Sequence, residues 1–144
     1  MNRRIRKRAA ILALGYAAAL AAVSLLPSGT GPLSGWDTAI NPDLQNALHV
    51  PAYGVLAWLV SRAMGRRRFR DLALAAAASA ALGGLLEWAQ AAVPGRFGSV
   101  EDVLLNAIGA AAALPILLGL HKLGIGKEEA TTGEAPSAAS GYRP

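Results

Sequence analysis

Four stretches of the chain carry almost no charge. Residues 9–26 are apolar apart from Tyr16 and Ser24, and residues 44–64 hold most of their polar side chains near the start. Residues 72–93 are interrupted only by Ser79, Glu87 and Gln90, while residues 101–120 open on two acids and then carry only Asn106 as a polar side chain. A helix rises 1.5 Å per residue, so about 18 residues reach roughly 27 Å, close to the hydrocarbon thickness of a bilayer. A water-soluble bundle would need a polar stripe recurring every third or fourth residue, and these stretches lack one. The pattern predicts an all-α fold: an integral membrane bundle of four transmembrane helices, with spans at about 9–26, 44–64, 72–93 and 101–120.

The segments between the spans read as turns. Residues 27–43 are rich in Gly, Pro, Ser and Asp, which favour loops with no sustained period. Pro94 to Gly98 reads as a tight turn, after which Ser99 is placed to cap the fourth helix with Asp102 at its third position. Pro51 and Pro115 fall inside spans, where a bend is expected. Residues 123–144 have too little apolar surface to pack and are expected to form a disordered tail.

Charge then gives the bundle a direction. Residues 1–8 form a basic N-terminus, an arginine cluster of Arg62, Arg66, Arg67, Arg68 and Arg70 follows the second span, and Lys122 and Lys127 follow the fourth. All three fall on one side, and loops rich in Lys and Arg stay cytoplasmic. The other side holds Arg96 alone among basic residues, beside Asp37, Asp43, Glu101 and Asp102. Both termini are therefore expected on the cytoplasmic side of the membrane. A charged start before an apolar run also describes a secretory signal peptide, but the later spans favour a retained first helix.

Composition supports this reading. Of 144 residues 53% are apolar and only 6% aromatic, more apolar surface than a domain this small can hide in one core. The net charge of +5 sits in clusters already explained by topology, so no nucleic-acid partner is expected and the bilayer is the expected partner. With no Cys and two His far apart in sequence, the spacing shows no metal set, and no cofactor fingerprint or activated nucleophile is visible. No cofactor or metal is expected, and catalytic residues stay unassigned.

Ionisable side chains at membrane depth cost about 2.5 to 3.5 kcal/mol each on insertion scales, which makes Glu87 informative. Glu87 and Gln90 are three apart on the third span. His49 and Tyr53 are four apart on the second, and Asp102 and Asn106 are four apart on the fourth, so each helix presents one polar stripe in the outer half. Arg96 is the cation available there for Glu87 or Asp102. Two readings stand. These side chains hydrogen-bond between helices that approach closely at Gly83, Gly84, Ser79 and Gly109, or they line a polar pocket open to the outer leaflet. Trp36, Trp58 and Trp88 are expected as packing or interface anchors, with Trp36 the best placed for the interfacial belt.

The run Glu87-Trp88-Ala89-Gln90, then Pro94-Gly95-Arg96, then Asp102, Asn106 and Gly109, resembles the E-x-x-Q, P-G-R and D-x-x-x-N-x-x-G signature of the VanZ-like family. Asn46, His49, Pro51, Tyr53 and Gly54 resemble the family's other polar segment, and the resemblance covers roughly Leu44 to Leu118. Where members commonly carry an Asp-Lys pair ahead of the His, this chain has Gln45 and Asn46. The resemblance implies a small bacterial multi-pass membrane protein, in a family named for a member that contributes to teicoplanin resistance. It also implies that Glu87, Gln90, Arg96, Asp102 and Asn106 share one site, without supplying a reaction. The leading expectation is an envelope protein whose pocket binds an amphiphile or cell-wall precursor and alters glycopeptide susceptibility. Behind it stand an enzyme on a lipid-linked substrate, with Glu87 or His49 as general acid or base, and a small oligomeric transporter.

Overall fold

The computed structural model describes residues 3–27, 41–65 and 68–122. Trp36, the rest of the loop around it, Arg66, Arg67 and the tail from residue 123 lie outside the described residues. The described residues form four helices and no strand: α1 (Arg3–Ser24), α2 (Pro42–Met64), α3 (Phe69–Gln90) and α4 (Val100–Lys122). Three of them, α1, α3 and α4, are long and apolar enough to cross a membrane. The fourth, α2, is as long but starts on Asp43, Gln45, Asn46 and His49, which lowers its mean hydropathy.

Local chemistry sets the helix ends. At the start of α2 the Asn41 side chain accepts the Asp43 N–H at 2.8 Å, and Pro42 occupies the first turn, where a missing N–H costs nothing. Its end is closed by the Gly65 N–H donating to the Ser61 carbonyl at 3.2 Å. Ser99 caps α4 as its sequence position suggests, its Oγ accepting the Asp102 N–H at 3.3 Å. Helix α1 begins at Arg3, six residues ahead of the apolar run, because nothing in the basic segment breaks helical geometry. Helix α3 ends at Gln90, three residues short of the apolar run, where the turn leading into Pro94 takes over. Both Pro51 and Pro115 sit inside continuous helices.

Helices α2, α3 and α4 pack against one another, with the most extensive contact between α2 and α4. Helix α1 lies on α2 and touches α3 only slightly. Arginines tie both of its ends. Arg6 Nε on α1 donates to the Ala63 carbonyl at the end of α2 at 3.4 Å, and Arg96 Nε donates to the Leu26 carbonyl just beyond α1 at 3.1 Å. Each guanidinium meets carbonyls left over at a helix C-terminus, where the helix dipole favours a cation.

The interior is built from small side chains: Ala57, Ala76, Ala110 and Ala113 form its apolar cluster, with Ala80, Leu114 and Leu117 against it. Large apolar side chains point outward instead, among them Leu14, Leu85, Trp88 and Ile116, each at least 60% exposed. That inversion suits a bilayer, which covers the outer Leu, Ile and Trp while close backbone approach holds the helices together. Closest approach falls at Gly109, where a Cβ would strike the Val50 carbonyl of α2, and at Gly83, where it would lie 2.8 Å from the Asn106 Cβ of α4. Gly84 meets only Val103 at 3.9 Å, an ordinary contact.

Candidate functional site

One end of the bundle gathers the polar stripes. The i, i+4 spacing along α2 puts Gln45, His49 and Tyr53 on one face, and the His49 and Tyr53 rings stack with centroids 6.3 Å apart. Tyr53 is buried, and the turn of α2 at its carbonyl is held to α3 by Ser79 Oγ, which donates to the Tyr53 carbonyl at 2.9 Å. Helix α3 brings Glu87, only 3% exposed, and Gln90, also buried; α4 brings Asn106, which is fully buried.

His49 is the junction of this cluster. Its Nδ1 and Asn106 Oδ1 share a hydrogen bond of 2.7 Å, and Glu87 Oε1 lies 3.9 Å from the same nitrogen. With the amide oxygen as acceptor, Nδ1 carries the proton. Glu87 Oε2 accepts the backbone N–H of Ser99 at 3.3 Å, so the residue that caps α4 with its hydroxyl also holds the buried carboxylate of α3. His49, Glu87 and Asp102 each present one ligand-type atom, and these atoms lie within 4.8 Å of one another. Asp102 Oδ1 and Asn106 Nδ2 are buried without a hydrogen-bond partner.

Beside the cluster lies a cavity of about 200 Å³. Gln45, His49, Tyr53, Gln90 and Arg96 supply its polar lining, while Leu20 and Val23 of α1 and Leu48 of α2 supply apolar wall. The expected set therefore divides: Gln90, Arg96, Tyr53 and His49 face the cavity, while Glu87, Asp102 and Asn106 sit behind His49. Only His49 belongs to both.

The structure corrects the expected partner of Arg96. Its guanidinium donates through Nε to the Leu26 carbonyl at 3.1 Å and through Nη2 to the Val23 carbonyl at 3.5 Å. Among the described residues it forms no ion pair with Glu87 or Asp102; the carboxylate-rich cluster instead has His49 beside it. The reason is geometric. The turn after α3 points Arg96 across the cavity mouth to the end of α1, whose unpaired carbonyls attract it. Sequence reasoning also left out Gln45, the α1 wall and the Ser99 N–H. Gln45 lies four residues before His49, which is a usable signal; the α1 contribution has no signal in the chain.

Removing the Ser99 hydroxyl takes away the cap of α4 and leaves the backbone N–H that holds Glu87. Ser99→Ala is expected to cost about 1 kcal/mol of stability in detergent unfolding, with Ser99→Asp recovering most of it. Equal loss in both variants would contradict the capping role.

A four-helix bundle with apolar exterior, small-residue core and a polar cluster beside a cavity defines a helical membrane protein. The sequence profile described as VanZ/LLP1 matches residues 9–121, and the chain belongs to that family. No curated protein and no solved structure matches it.

Proposed function

We propose that the cavity end of the bundle faces away from the cytoplasm of a bacterial inner membrane, with both termini inside. We further propose that the cavity takes the polar head of an amphiphile or lipid-linked cell-wall precursor. The orientation is supported by the basic residues Arg3, Arg4, Arg6, Lys7, Arg8, Arg68 and Arg70 at the opposite end. The ligand reading is carried by one observation: a cavity whose polar lining includes an arginine that spends its hydrogen bonds on backbone carbonyls and not on a carboxylate. An anionic head matches that charge. At about 200 Å³ the space is below the range of about 300–1,000 Å³ typical for drug-sized ligands, so it suits a headgroup whose chains remain in the bilayer. Sequestering or repositioning such a precursor alters what a glycopeptide antibiotic meets at the surface.

The test has two arms. Purified protein in nanodiscs is titrated with a short-chain pyrophosphate lipid, and a deletion strain is complemented and scored for glycopeptide susceptibility. Arg96→Gln and His49→Ala, inserted at wild-type levels, are expected to weaken binding about tenfold or more, as loss of a charge-assisted contact does, and to shift susceptibility. Unchanged binding and susceptibility in both variants would end this reading.

A second reading, an enzyme acting on a lipid-linked substrate, is favoured by His49, which lines the cavity with Glu87 Oε1 3.9 Å from its Nδ1. Asn106 Oδ1 orients the imidazole and the nearby carboxylate steadies its charged form, as general acid–base work requires. Mass spectrometry of the lipid after incubation decides between the two: a His49-dependent product favours the enzyme, and recovery of intact lipid favours binding alone. Transport through the chain has less support, since the Ala57, Ala76, Ala110 and Ala113 cluster offers no polar path.

A further inference from the structure

We propose that His49, Glu87 and Asp102 bind a divalent transition-metal cation of the Zn²⁺ or Mn²⁺ class, with Asn106 Oδ1 as a neighbouring oxygen donor. The three residues come from three helices, and their ligand-type atoms lie within 4.8 Å of one another. Donors bound at about 2.0–2.2 Å in tetrahedral geometry lie about 3.3–3.6 Å apart, so the widest pair must close by a little over an ångström. Side-chain rotation supplies that much.

The cluster is short of hydrogen-bond donors. Around His49 Nδ1 stand Asn106 Oδ1 at 2.7 Å and Glu87 Oε1 at 3.9 Å, and one N–H serves one of them well. Asp102 Oδ1 is buried with no donor at all. Asn106, fully buried, turns its oxygen into the cluster and so adds one more acceptor there. Two carboxylates this close in a medium of low dielectric repel each other strongly, and the nearest arginine spends its hydrogen bonds on the end of α1. A divalent cation balances both carboxylates and gives Asp102 Oδ1 a partner. On that arrangement Nδ1 is the unprotonated ligand, and Asn106 Oδ1, 2.7 Å from it, moves out to about 3 Å or more to share the ion. One imidazole with two carboxylates favours Zn²⁺ or Mn²⁺ over Mg²⁺, which keeps its waters, and over Ca²⁺, which needs six to eight oxygens.

The proposal does not rest on the headgroup reading, and the metal alone is the probe. Full-length protein in nanodiscs, stripped with chelator and dialysed, is titrated with ZnCl₂ by calorimetry and with MnCl₂ by electron paramagnetic resonance. One ion per chain is expected. Glu87→Gln and Asp102→Asn are expected to weaken it by about tenfold or more, while His121→Ala, at the other imidazole of the chain, binds as wild type. Circular dichroism and melting check that each variant is folded; should Glu87→Gln fail there, Asp102→Asn on the other helix decides. Absence of stoichiometric binding, or binding that Asp102→Asn leaves unchanged, overturns the site. Stoichiometric metal binding by the unaltered protein, with no lipid bound, would instead count against the headgroup reading alone.

Discussion

Gly109→Val is expected to lower the unfolding free energy of the bundle by about 3 kcal/mol or more, the upper end of overpacking costs. A Cβ at position 109 would meet the Val50 carbonyl oxygen, with the Val50 Cα and carbonyl carbon both 2.8 Å away. These atoms are backbone, so no side-chain rotation relieves the clash. Helices α2 and α4 must move apart, and the Ala57, Ala110 and Ala113 packing opens with them. The approach is tight from the other side too, since a Cβ at Gly54 would lie 3.2 Å from the Gly109 carbonyl oxygen. Denaturant titration in mixed micelles measures the effect, with Gly15→Ala as the control. Nothing lies within 4 Å of a Cβ at position 15, so that change is expected to gain about 0.5–1 kcal/mol from lower backbone entropy in the unfolded chain. If Gly109→Val proves as stable as Gly15→Ala, the close crossing of α2 and α4 is wrong.

The second large effect joins packing to the site. Gly83→Ala places a Cβ 2.8 Å from both Cβ and Nδ2 of Asn106 and 2.9 Å from its Cγ. Asn106 is fully buried and holds His49 Nδ1 at 2.7 Å, so it has no free direction in which to give way. The expected loss is about 1–3 kcal/mol, against a background in which Gly→Ala inside a helix is favourable by up to about 1 kcal/mol. Asn106→Ala removes the obstacle as well as the hydrogen bond. The double variant is therefore expected to be more stable than the sum of the two single losses implies, by about 1 kcal/mol or more, because residues in contact do not add. Histidine NMR adds a readout that packing alone does not move: the His49 side-chain resonances should change in both single variants and stay changed in the double. Additive stabilities would show that Gly83 and Asn106 are not in contact.

Both predictions turn on glycines that the chain marks only faintly. Gly83 and Gly84 are neighbours of one type in one apolar run, and spacing alone assigns close approach to either. Packing chose Gly83, because the face of α3 that meets Asn106 is set by the rotation of α3 against α4. Glu87 is four residues further along the same helix and shares that face. Its burial was legible as a cost, since an acid at membrane depth needs partners; the partner that accounts for Oε2 is a backbone N–H twelve residues away, which no residue type encodes. Arg96 shows the limit more sharply. Its charge made a carboxylate the obvious partner, yet carbonyls at the end of α1 hold it, and an unfilled helix terminus cannot be seen without knowing which helix ends nearby.

The helices were legible along the chain because their causes are local. Apolar length over three of them, the Ser99 cap and the polar spacing along α2, α3 and α4 all act within a few residues of one chain segment, so they can be read in order. How those stripes share space came from packing alone. His49, Glu87 and Asp102 stand on three different helices and meet because small side chains let those helices close on one another. The cavity exists because α1, tied at both ends by arginines to its neighbours, stands off the polar face of α2. Distances of that kind depend on the relative rotation and offset of packed helices, which the whole set of contacts fixes together and no single stretch of sequence contains.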